Sequence, residues 1–69
     1  MPLSMAVPGA ETTVRKISGK DETRRFLASL GFVEGVSVTV ISELGGNLIV
    51  NVKNTLVALS KSMSNSIFV

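Results

Sequence analysis

The chain has 69 residues, a formal net charge of +2 and neither cysteine nor histidine, which excludes disulfides, thiol or imidazole catalysis and zinc ribbons. Hydrophobic residues make up 45% and charged residues 17%, an apolar balance for one small domain spanning residues 1–69, so some aliphatic surface is expected to serve a partner. No apolar run approaches the about 18 residues needed to cross a bilayer, and Met1 to Val7 lacks the length and basic start of a secretory signal; neither insertion nor export is expected.

Pro8-Gly9 reads as a turn after a short N-terminal segment, and Glu11 to Ser18 as the first strand. Val14 and Ile17 are three positions apart. Both reach the inner face if an extra residue near Arg15-Lys16 forms a β-bulge; otherwise one of them faces outward. After a turn at Gly19, Asp21 to Leu30 is expected to be helical, with Phe26, Leu27 and Leu30 on the core face and Arg24 and Arg25 on the other side. Asp21 precedes both arginines in the favourable acid-before-base order and places negative charge at the positive end of the helix. Gly31 fits the left-handed position beyond the last turn, where a side chain costs about 1 kcal/mol or more. Gly35 ends the next turn, and Val36, Val38 and Val40 then alternate with Ser37 and Thr39 as in a half-buried strand.

Gly45 and Gly46 mark a hairpin, and two registers compete. A two-residue Gly45-Gly46 loop pairs Val40 with Asn51 and Val38 with Lys53, which mixes the faces. Shifting by one residue sets Val40 against Val50, Val38 against Val52, Thr39 against Asn51 and Ser37 against Lys53, leaving one face wholly apolar. The hydrophobic pattern therefore predicts the second register, with an odd-numbered loop over Leu44 to Gly46. It places Ile41 opposite Ile49 on the otherwise polar face, either covered by a terminal segment or free as a docking patch. Beyond an Asn54-Thr55 turn, Leu56 to Leu59 reads as a strand buried on both faces. Ser60 to Ser66 is expected to form one helical turn, with Met63 capping the end of a barrel that Ile67-Phe68-Val69 closes against the first strand.

Val14, Ile17, Gly19, Leu30, Gly31, Phe32 and Gly35, followed by the valine strand, resemble the FeoA family pattern V-x-x-I-x-G, short helix, L-G-hydrophobic-x-x-G. The resemblance extends over nearly the whole chain. It implies a mainly β, SH3-like small antiparallel barrel with one short helix and a C-terminal helical turn. It further implies a cytoplasmic accessory at the inner face of the membrane, whose partner is the ferrous iron transporter FeoB with its GTPase domain. The module is also similar to the C-terminal domain of iron-dependent repressors; with no helix-turn-helix in front of it, a complete repressor is not expected.

The five carboxylates, Glu11, Asp21, Glu22, Glu34 and Glu43, are scattered, and no nucleophile–base pair, phosphate loop or metal-ligand spacing is present. No enzyme, cofactor or resident metal is expected. The rival to protein docking is single-stranded nucleic acid, suggested by a pI near 9.5 and by Arg15, Lys16, Lys20, Arg24 and Arg25. It is disfavoured by a supply of only three aromatics, of which Phe26, Phe32 and Phe68 are all assigned to the core. The expected docking residues are Ile41 and Ile49, with Arg24 and Arg25 as a second edge; the expected turn residues are Gly19, Gly31, Gly35, Gly45 and Gly46.

Overall fold

Alternating valines and two tight turns build the main sheet of the computed structural model, which describes residues 1–69. A single 3-10 turn, Leu3–Met5, precedes strands β1 (Glu11–Thr13) and β2 (Lys16–Ile17), helix α1 (Asp21–Ser29), and strands β3 (Ser37–Leu44), β4 (Asn47–Val52) and β5 (Thr55–Ser60). Helix α2 (Lys61–Ser64) and strand β6 (Ile67–Phe68) complete the chain. One antiparallel sheet runs β1-β3-β4-β5, and a second pairs β2 with β6. The arrangement is SH3-like, with two separate ladders in place of a continuous hydrogen-bonded barrel.

The hairpin combines both competing registers. Val38 pairs with Val52, Thr39 with Asn51 and Val40 with Val50; above them Ser42 pairs with Ile49, Glu43 with Leu48 and Leu44 with Asn47. The apolar alternation sets the base, whereas turn chemistry sets the tip. Gly45 and Gly46 have φ of +60° and +81°, the double positive φ of a two-residue turn whose twist matches the strands. Ile41 is the extra residue that absorbs the mismatch as a β-bulge. The expected odd-numbered loop and the Ile41–Ile49 pairing are therefore corrected: Ile49 faces Ser42, and Ile41 stands beside it in the bulge.

The first strand does not run unbroken from Glu11 to Ser18. β1 pairs with β3, then the chain changes sheets at Val14-Arg15: the Val14 amide donates to the Val36 carbonyl at 2.9 Å, and the Arg15 amide to the Phe68 carbonyl at 2.7 Å. Switching partners turns the strand, so buried Val14 and half-buried Ile17 both reach the core despite their spacing. β6 returns alongside β2, and a bridge from Pro2 to Phe68 brings the N-terminal segment against it.

Leu3, Val14, Leu27, Phe32, Val38, Val40, Val50, Val52, Leu59 and Ile67 are the principal buried side chains. α1 contributes one fully buried residue, Leu27, flanked by half-buried Thr23 and Leu30 at helical spacing. That stripe leaves Phe26 about 100° around the helix. Phe26 is 48% exposed, against the expectation that it joins the core. Gly31, at φ +106°, ends the helix as its position requires. α2 is capped by Ser60, whose hydroxyl accepts from the Met63 amide at 3.2 Å, and Met63 packs against the core.

The β4–β5 turn is Lys53-Asn54, one residue earlier than expected, because Val52 pairs directly with Thr55. Both turn residues are left-handed, at φ +51° and +63°. Asparagine tolerates this conformation, while lysine is strained by about 1 kcal/mol. Replacing Lys53-Asn54 by Asn-Gly, the preferred pair for such turns, should raise stability by about 0.5–1 kcal/mol. A thermal melt checks this, and an unchanged or lower midpoint would contradict the strain assignment.

Candidate functional site

The outward side of the four-stranded sheet follows from its register. Glu11, Thr39, Asn51 and Leu56 form one cross-strand row; Ser42, Ile49 and Ala58 form another; Leu44, Asn47 and Ser60 form a third. The first strands of this face are polar, and Glu11, Ser37, Thr39, Asn51 and Lys53 line a groove of about 260 Å³. Toward the hairpin tip and β5 the face becomes aliphatic: Ile41 is 45% exposed, Leu44 72% and Leu56 65%, with Ile49 half-buried between them. Leu56 and exposed Ala58 correct the reading of Leu56–Leu59 as a strand buried on both faces. β5 is inward at Val57 and Leu59 only.

Neither Met1 nor Val69 lies over this band, and the N-terminal segment meets only its margin, at Gly9, whose amide donates to the Val40 carbonyl at 2.7 Å. Met1 and Val69 bond to each other, with the Val69 amide donating to the Met1 carbonyl at 2.8 Å, and both belong to the β2–β6 side. The bulge that moves Ile41 out of the inward row therefore leaves it in solvent. The sole ion pair, Glu43 to Lys61 at 2.9 Å, braces the hairpin tip against the start of α2. Both partners are exposed, so it contributes under about 1 kcal/mol.

A second concavity, of about 460 Å³, lies along α1. Ile17, Ala28, Phe32 and Val33 supply its apolar lining, and Asp21, Arg24, Arg25 and Glu34 its charges. Asp21 forms no ion pair with Arg24 or Arg25, consistent with the few tenths of a kcal/mol such exposed helical pairs provide. Opposite charges in equal number leave this groove without a dominant sign. The structure thus separates the sequence-derived candidates: Ile41 and Ile49 meet on the outer sheet face, while Arg24 and Arg25 line the helix groove.

Leu44, Leu56 and Phe26 are exposed apolar residues that the sequence reading missed. For Leu56 the signal was available, because carrying the alternation through a two-residue second turn places it beside Asn51. The carboxylates converge nowhere in groups of three, and no buried side-chain polar atom lacks a hydrogen-bond partner.

The FeoA domain family model matches residues 1–69. A crystal structure of an iron uptake regulatory protein (FeoA) is 30% identical, with a TM-score of 0.86, and the match covers 96% of this chain and 88% of that one. FeoA of Stenotrophomonas maltophilia complexed with zinc, described as a prokaryotic SH3 domain protein and a suggested ferrous iron transport activating factor, is also 30% identical. Its TM-score is 0.84, with 99% of this chain and 87% of that one covered. A manganese-dependent transcriptional repressor is 25% identical with a TM-score of 0.89, over 100% of this chain and 40% of the repressor. No curated protein sequence matches the chain.

Proposed function

The chain belongs to the FeoA family, and on that premise we propose that it is a non-enzymatic cytoplasmic accessory of ferrous iron uptake that docks on the cytoplasmic part of the FeoB-type transporter. The observation that carries this reading is the aliphatic band of Ile41, Leu44 and Ile49 on the outer face, bordered by Ser42, Asn47 and Asn51. A few apolar anchors inside a polar rim are the usual composition of a protein interface. No helix is long and apolar enough to cross a membrane. Arg24 and Arg25 beside exposed Phe26 offer nucleic acid one stacking platform, fewer than sequence-tolerant strand binding uses.

Co-expression of the tagged chain with the transporter, followed by detergent solubilisation and capture, tests the proposal. The transporter should co-purify, and cellular ferrous iron uptake should fall when the chain is removed. Failure of capture together with unchanged uptake would contradict it.

Iron itself is treated as cargo of the partner. With no histidine or cysteine and with dispersed carboxylates, the isolated chain lacks a ligand set for tight ferrous binding. Anaerobic titration with Fe(II) should show only weak binding that magnesium competes away. A stoichiometric micromolar site would make the protein an iron carrier.

A further inference from the structure

β5 has β4 on one side and no strand on the other. The direction of each backbone group along it follows from the turn before it. Val52 and Thr55 close the two-residue Lys53-Asn54 turn, and the closing pair of such a turn exchanges both hydrogen bonds. Alternation then directs the N–H and C=O of Thr55, Val57 and Leu59 toward β4, and those of Leu56 and Ala58 away from it. The far end agrees in phase: the Lys61 amide donates back to the Gly46 carbonyl at 3.3 Å. No backbone bond outside the ladders engages Leu56 or Ala58, while Ser60, next in phase, serves as the cap of α2.

Four backbone groups, two donors and two acceptors, therefore face solvent along the edge, next to the exposed side chains of the same two residues. Natural edges are usually blunted by charge, proline or a bulge. From Asn54 to Ser60 this one contains no charged residue and no proline, and its pairing with β4 is unbroken.

We propose that the β5 edge is a self-association site on which a second copy of this chain adds its own β5, antiparallel, to give a twofold dimer with a continuous eight-stranded sheet. The edge is self-complementary in one register. With Val57 opposite Val57 of the second copy, Leu56 faces the second copy's Ala58 and Ala58 its Leu56. All four outward backbone groups are then paired, and outer-face side chains meet outer-face side chains. A shift of two residues in either direction sets one of these residues against turn residue Asn54 or cap residue Ser60, which forfeits half of the bonds. Because the chain's own edge supplies the matching donors, acceptors and aliphatic side chains, no foreign sequence is needed to complete it. The interface is small, so the dissociation constant is expected on the order of 0.1–1 mM. Just beyond the strand ends, Lys53 approaches Lys61 of the second copy, so raising salt should tighten the dimer.

Sedimentation and amide hydrogen exchange of the intact chain, from about 20 µM to about 2 mM, test the proposal across that affinity range. The mass should rise toward that of a dimer. Protection of the Leu56 and Ala58 amides should grow with concentration, while that of Val57, bonded to β4, stays constant. Mixed-label NMR should show a Val57 Hα–Hα contact between copies, because this non-hydrogen-bonded pair brings the two Cα atoms to about 4.5 Å. Ala58→Pro deletes an outward N–H without touching the β4 ladder, and Leu56→Lys adds charge to the edge. Each should weaken association at least about tenfold, a loss of about 1.4 kcal/mol. If Ala58→Pro fails to fold, Leu56→Lys decides. A chain that stays monomeric throughout, or a dimer indifferent to the variants that fold, would overturn the proposal.

Discussion

Replacing Ile41 and Leu44 together with serine is expected to reduce capture of the transporter by roughly 30-fold or more, because each exposed aliphatic anchor at an interface contributes about 1–2 kcal/mol. Both side chains already stand in solvent, so stability should change by no more than about 0.5 kcal/mol. They lie on β3, separated from the β5 edge by β4, which keeps this loss distinct from any effect on self-association. Ile49 is the less suitable target because it is half-buried and pairs with both Ser42 and Ala58. Thermal melts and capture on the same preparations check the prediction. Undiminished capture would move the docking surface to the α1 groove, where Arg24→Glu with Arg25→Glu becomes the decisive variant.

Phe32→Ala should unfold the chain or nearly so. Phe32 is fully buried and is the largest side chain in the core, and truncation of a buried phenylalanine costs about 3–5 kcal/mol. A domain of this size has roughly 3–10 kcal/mol in total, at about 0.05–0.15 kcal/mol per residue. The consequence is a fall in melting temperature of more than about 12 °C, at about 4–8 °C per kcal/mol for small domains. Circular dichroism melts and amide shift dispersion provide the readout. A loss under about 1 kcal/mol would mean that neighbouring core side chains collapse into the vacated space.

Features fixed by local chemistry were legible in the sequence. The helix, its glycine stop and the valine pairing at the hairpin base each rest on residues adjacent along the chain or directly across one ladder. The bulge at Ile41 was not, because two valid signals disagreed by one residue: paired glycines demanded a two-residue turn, and the valines demanded the other register. Each signal holds over half of the hairpin; the fold uses both and places the surplus residue between. A stripe drawn from hydrophobicity alone includes Phe26, whereas packing centres the helix on Leu27 with Thr23 and Leu30. The change of sheets at Val14-Arg15 depends on β6, some fifty residues later, and periodicity within the first strand carries no trace of it. For the candidate site, the outward position of Ile41 was readable and its neighbours were not. Leu44 and Leu56 join the band only once both turns are known to contain two residues.

The central claim is that the outer sheet face meets the transporter, and an NMR titration of the isotopically labelled chain with the transporter's cytoplasmic region tests it most directly. Resonances of Ile41, Ser42, Leu44 and Ile49 should shift together and saturate, while those of Arg24, Arg25 and Phe26 remain in place. No shifts at saturating partner, or shifts confined to α1 and its groove, would contradict the account.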